Sequence, residues 1–486
     1  MSTLRYPFLL AMAWIAVALG GCSQGNSGDQ QAVAGAVPQG LDRFLLFPNP
    51  VVEPGGSFET NTTAYASAYY RAIDPANQKD TLAKWKAANG FGGGGNERLA
   101  VFRDVLDLGY GRRMTGRLNA DGSVAFFVEN YNVSNVPGGY STVNVDAAVA
   151  RDTKWHVGTN AIEWSATPCD AALDPGTCDP TVKFAKYFNF SSADGTRQLT
   201  VDLDGRGQKA MPGPCITCHG GRGDPLTPPD AGTGLPRFAL VGNSVSQKRG
   251  DTQGRLQPFR VDTFEWSTAA GFTRADQEAT LKTFNQWVLC TYPGGGNVTG
   301  SWGNCTRPAA GAHEWQGTAA EMLEAFYGGP GMPNAQFSDT YLPAGWAPNA
   351  NLYQQVVVPF CRTCHLVRGT AHQSDIDFAT LAKFQGYAGR IKVHVFDRGN
   401  MPLARLVYTD FWTSTAPATL ASFVDQVLQN TEDVGARFPE EARKIHHEEA
   451  PRRGIRGTAS REEAEALVDE GIAVFPLPIP PSDDWH

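Results

Sequence analysis

Cys215, Cys218 and His219, in the stretch PCITCHGG, put two thiols and an imidazole within five positions. A C-x-x-C spacing serves zinc coordination, dithiol redox chemistry and covalent haem attachment, and only the last also uses His at the next position. The pattern returns in PFCRTCHLVRG as Cys361, Cys364 and His365. With nine Cys and nine His in 486 residues, chance supplies about 0.003 such matches per chain. A Cys₄ zinc site brings its two pairs about 15–20 residues apart. Here 142 residues separate them, and zinc gives no reason for His after both. A thioredoxin-like dithiol needs a βαβ context and would hardly occur twice with His following.

These two stretches resemble the attachment motifs of c-type cytochromes. The resemblance implies two covalently bound haem c groups, each carrying iron. Cys215, Cys218, Cys361 and Cys364 would form the thioethers, and His219 and His365 would be the proximal iron ligands. Met401, in RGNMPLARL, follows His365 by 36 residues and precedes the last amphipathic segment. That order is similar to a small class I cytochrome c domain, spanning 346–429, and makes Met401 the sixth ligand of the second iron. A thioether opposite His raises the reduction potential and leaves no open position, which suits an electron carrier. His394, in IKVHVF, alternates with apolar residues as in a strand.

The first haem has no such clear partner. Met332 in GGPGMPN and His313 in a Pro/Ala/Gly-rich loop are the candidates, Met322 reads as core, and an open iron is the third alternative. The open form leads to a second resemblance, to the dihaem peroxidase superfamily and its rubber-oxygenase relatives. Those are exported proteins with two such motifs well over a hundred residues apart, and the 146-residue spacing from Cys215 to Cys361 is compatible. In that family one haem stores an electron and the other reacts with peroxide or oxygen, so this likeness implies an enzyme.

The elements that must carry these residues change character along the chain. Arg113–Leu118 and Val124–Tyr131 flank Asn-Ala-Asp-Gly and read as a hairpin. KYFNF and RQLTVDL around 191–195 read as another. GFGGGGN (90–96) lacks the Lys and Ser/Thr of a phosphate loop and reads as a plain loop. Beyond 260 the periodicity is helical. Thr273 with Asp276 and Thr318 with Glu321 form capping boxes, and Leu420, Phe423, Val424, Val427 and Leu428 mark a last amphipathic helix. The expectation is an α+β multidomain chain. A β-rich N-terminal domain (46–205) precedes mainly α-helical, cytochrome c-like haem domains, namely a first haem region (206–345) and a second haem domain (346–429).

Gly 53 and Pro 32 in 486 residues imply short elements and much irregular chain. The formal charge of -8 argues against nucleic acid as a partner. The N-terminus has one Arg and then an apolar run of 13 residues, Phe8 to Gly20, the proportions of a signal peptide (1–21). Leu19-Gly20-Gly21-Cys22 resembles the lipobox of bacterial lipoproteins, which implies lipidation of Cys22. The membrane is then reached through a lipid anchor, and 22–45 is a tether. Ser23 after Cys22 favours the outer membrane in that family. Export to the bacterial cell envelope fits Cys169–Cys178 and Cys290–Cys305 as two short-loop disulfides, a pairing by proximity. The expected partners are redox proteins.

Residues 430–486 differ from the rest: 20 of 57 are charged, with 13 acids against 7 bases. The stretch resembles the C-terminal half of a small bacterial family of unknown function, and otherwise reads as a solvated acidic extension. His446 and His447, among Glu residues, read as solvent-facing.

Overall fold

The computed structural model describes residues 52–53, 56–57, 62–133, 143–169, 176, 178–205, 207–221, 226–238, 248–292, 297–298, 305–306, 318–366, 378–399, 401–457, 459–460, 463, 466–467, 469–472 and 474. The expected signal peptide, Cys22, the tether and His313 lie outside them.

The N-terminal part is built on one antiparallel sheet. Its strands are β1 (Glu97–Asp104), β2 (Gly111–Leu118), β3 (Val124–Tyr131), β4 (His156–Ala166), β5 (Lys183–Phe190) and β6 (Phe264–Glu265), in spatial order β6-β1-β2-β3-β4-β5. The β2–β3 hairpin is the one expected from Asp-Gly. Leu118 pairs with Val124, Asn119 N–H donates to the Ser123 carbonyl at 2.9 Å, and Gly122 takes φ +77°, the left-handed turn conformation that costs glycine least. The second hairpin is shorter than expected. Phe190 bridges Arg197, and Thr200–Val201 then leaves the sheet to pair with Lys209–Ala210. The glycine loop is held by Arg117, which donates to the Gly94 carbonyl at 2.8 Å.

Helix α1 (Thr63–Ile73) is capped by Thr62, whose hydroxyl accepts from Tyr65 N–H at 3.1 Å, and it buries Tyr65, Tyr69 and Tyr70. The short helix α2 (Gly213–His219) carries the first motif. Helix α3 (Arg274–Leu289) begins at the Thr273–Asp276 capping box, both halves of which form. On the sheet face Phe284 meets Phe126 edge-on at 5.1 Å, and Phe102 stacks on Phe264 at 4.0 Å. One apolar core runs from Tyr65 through these strands and helices to Met332 and Leu366. Residues on both sides of position 205 therefore share it.

A second core surrounds Trp346, which is fully buried. It is made by residues 352–357 and 378–395 with α5 (Arg405–Trp412) and α6 (Ala416–Gln429), and Cys361, just before α4 (Arg362–His365) that carries the second motif, packs against it. α6 buries Leu420 and Val424 and has Pro417 in its first turn, where a missing N–H costs nothing. The expected strand at IKVHVF is instead a π-helical turn, Lys392–Asp397, with Arg398 N–H donating to the Val393 carbonyl. Its buried residues are His394 and Val395, which continue from buried Ile391 just before it at a helical spacing that local alternation concealed.

The charged tail folds as a small unit. β7 (Thr431–Gly435) and β8 (Gly454–Gly457) pair in parallel around α7 (Phe438–His446), over a cluster of Ala442, Leu467 and Ile472. His446 and His447 are exposed. Cys169 and Cys178 form the expected disulfide. Cys290 is also disulfide-bonded, and the Cys305 side chain lies outside those described.

Candidate haem site

Helix α2 is short because its sequence leaves little to extend it: Pro212, which has no N–H to give, precedes it and Gly220, at φ +72°, follows. His219 is its last residue, and the imidazole is fixed there by the segment 254–257. Nδ1 donates to the Arg255 carbonyl at 2.9 Å, while Arg255 N–H donates back to the His219 carbonyl at 2.9 Å. Gln257 donates to the Cys218 carbonyl. A proton held on Nδ1 leaves Nε2 as the lone-pair nitrogen, the arrangement that orients a metal-ligating histidine. Burial lowers the pKa of this imidazole below the ordinary value, so it is the neutral form that a metal takes.

The second motif is anchored differently. His365 lies flat on Phe378, ring centres 4.3 Å apart, and Phe378 is held by Trp346, whose indole N–H donates to its carbonyl at 2.8 Å. Arg362, between the two cysteines, is 1% exposed and forms a two-pronged pair with Asp339. Asp339 also faces Arg260 at 3.3 Å, so one carboxylate serves two guanidinium groups.

Both motifs open on the same cavity. Its wall includes Cys215, Cys218 and His219 from one side, and Cys361, Cys364, His365 and Met401 from the other. Its volume is about 310 Å³, within the range of about 300–1,000 Å³ usual for ligand sites. α2 and α4 pack against each other, and the Cys218 and Cys364 thiols are within hydrogen-bonding reach. Desolvation raises the pKa of both Cys215 and Cys361 to about 12. Reactive C-x-x-C thiols are instead depressed below about 7.5. Burial here works against the thiolate form that dithiol exchange needs.

The sheet supplies the remaining wall with Phe126, Asn160, Tyr187 and Met114, and with the charged Asp104, Asp107 and Arg112. The buried Nε of Arg112, Nε of Arg260, Oε1 of Gln257 and hydroxyl of Tyr187 all belong to cavity-lining residues and have no partner among the described residues. Orphaned buried guanidinium donors are costly in a finished protein. A haem, with two carboxylates on its edge, would satisfy such donors, and four cysteines with two oriented histidines fit two of them.

The expected ligands thus separate into groups. Cys215, Cys218, His219, Cys361, Cys364, His365 and Met401 come together on one cavity. Met332 does not line it: at φ +53° and 1% exposed, it packs into the sheet-side core with Met322. Two lining residues were not picked out by motif reading. Met114 projects from the middle of β2, and His394 turns inward from the π-helical segment. Met114 had no spacing signal, while His394 was concealed by alternation.

Residues 407–482 match a family described as "Protein of unknown function (DUF1178)". The match begins at Val407 inside α5, earlier than the composition change at 430, and covers a minor part of the chain. No curated protein and no solved structure matches the chain. Among the described residues, no helix is long and apolar enough to cross a membrane.

Proposed function

We propose that the protein is a dihaem c-type cytochrome that transfers electrons in the bacterial cell envelope. The observation that carries this reading is the convergence of both C-x-x-C-H motifs on one cavity, with the His219 imidazole oriented through Nδ1. Bound haem supplies one-electron chemistry at iron and a delocalised ring through which an electron enters and leaves. The chain's own part is to bind and tune. The four cysteines tether, and His219 and His365 present their imidazoles. Met401 offers a thioether, and Arg112 and Arg260 offer cations to the haem carboxylates. The apolar wall of Phe126, Phe360, Phe378 and Phe411 excludes water and so favours the less charged, reduced state.

A second reading, a peroxidase- or oxygenase-like enzyme using an open first iron, is favoured by one observation. Met332, one of the candidates for the position opposite His219, packs away from the cavity. Absorption and paramagnetic resonance spectra of the mature protein, taken with and without carbon monoxide, separate the two readings. Two low-spin irons that ignore the added ligand support the carrier. One high-spin iron that binds it supports the enzyme.

We propose further that the mature chain is exported and held by lipid on Cys22, on the periplasmic side or surface of the outer membrane, with redox proteins as partners. The disulfide at Cys169–Cys178 is consistent with an oxidising compartment.

A further inference from the structure

The second cysteine of each motif does more than tether its own cofactor. Cys218 is the penultimate residue of α2 and Cys364 that of α4, and these two helices pack directly against each other although 142 residues of chain separate the motifs. Their thiols are within hydrogen-bonding reach, and both line the single cavity. The contact is locked from behind. Arg260, from the segment following the His219 clamp, donates to the Val358 carbonyl at 2.9 Å, one turn before Cys361, and shares Asp339 with Arg362.

We infer that Cys218 and Cys364 join the two bound haems edge against edge across the α2–α4 contact, so that the protein holds one electronically coupled pair and not two independent centres. This inference rests on the dihaem reading above. Each thioether sulfur is bonded to a substituent carbon that is itself attached to the macrocycle, two bonds from the rim. Two sulfurs within hydrogen-bonding reach therefore bring the two rims close together whatever the tilt of the rings. An electron entering at one haem is then shared with or passed to the other without a protein segment between them. The charge on the first reduced centre also opposes reduction of the second, in a low-dielectric cavity where screening is weak.

The test is circular dichroism in the main haem absorption band of the full-length holoprotein, beside the same spectrum of C215S/C218S and of C361S/C364S. Haem per chain is counted on each sample. The expected result for the unmodified protein is two haems and a two-signed band that is absent from both variants and from the sum of their spectra. Two haems per chain with a spectrum equal to that sum overturns the coupled pair and leaves the dihaem reading intact. A chain without covalent haem overturns both. Should one variant fail to fold, redox titration of the unmodified protein decides instead. Followed by circular dichroism in the same band, a coupled pair shows the two-signed band with both haems oxidised and loses it once one haem is reduced, whereas independent centres show no two-signed band at any stage.

Discussion

The Arg260 guanidinium donates to the carbonyl of Val358 at 2.9 Å, a bond between residues 98 apart in sequence that ties the first motif's surroundings to the segment leading into the second. Asp339 completes the link by facing both Arg260 and Arg362. Removing the one carboxylate leaves two buried cations opposed. D339A is therefore expected to destabilise the protein by about 3–5 kcal/mol, the cost of breaking a buried pair. Chemical denaturation measures this. A loss below about 1 kcal/mol would mean that solvent already screens the cluster.

Gly254 leaves room for Tyr187. A methyl group at Gly254 would lie 2.1 Å from the Tyr187 hydroxyl and 2.9 Å from the Gly220 carbonyl. The next residue, Arg255, holds His219. G254A is expected to cost about 1–3 kcal/mol through overpacking and to disturb the spectrum of the first haem only. An unchanged first-haem spectrum would show that the Arg255 clamp does not depend on this close approach.

Met401 bears on the second centre. A thioether opposite histidine favours the reduced iron, so M401H is expected to lower one of the two potentials and M401A to give one iron that binds carbon monoxide. Redox titration and ligand-difference spectra report both. If neither potential moves, His394, on the same cavity, becomes the ligand to replace next.

The tail carries its own small core, and its link to α6 includes Arg456, which donates to the carbonyls of Leu428 and Thr431. A cation at a helix C-terminus contributes about 0.3–1 kcal/mol. Truncation after Asn430 is expected to retain both haems and to lower stability by about that amount. Loss of a haem on truncation would give residues 431–486 a part in the site.

The lipid-anchor proposal concerns Cys22 alone. C22A is expected to move the protein from the membrane to the soluble fraction of the cell envelope with its haem content unchanged, as fractionation and haem staining would record. Equal membrane retention in both forms would rule out the lipid as the anchor.

What could be read in the sequence was local. The two motifs, the Asp-Gly hairpin, the capping box at Thr273, the α6 stripe and the Cys169–Cys178 pair each depend on residues within about a dozen positions, where spacing reports geometry directly. Contacts between distant segments left no such trace. Phe264–Glu265 returns to close the sheet beside β1, the sheet becomes a wall of the cavity, and α2 meets α4. Met332 resembled Met401 in having a Pro after it, yet its backbone turns it into the core. His394 was hidden because an alternating apolar pattern of six residues fits a strand and a widened helix turn equally well.

The most direct measurement is the count of covalently bound haem per chain. It would be made by mass of the denatured protein and by alkaline pyridine absorption, after expression in a host that matures c-type cytochromes. Two per chain are expected, falling to one in C215S/C218S and one in C361S/C364S. A chain that carries none, with all four thiols still reactive, would contradict the haem assignment at both motifs.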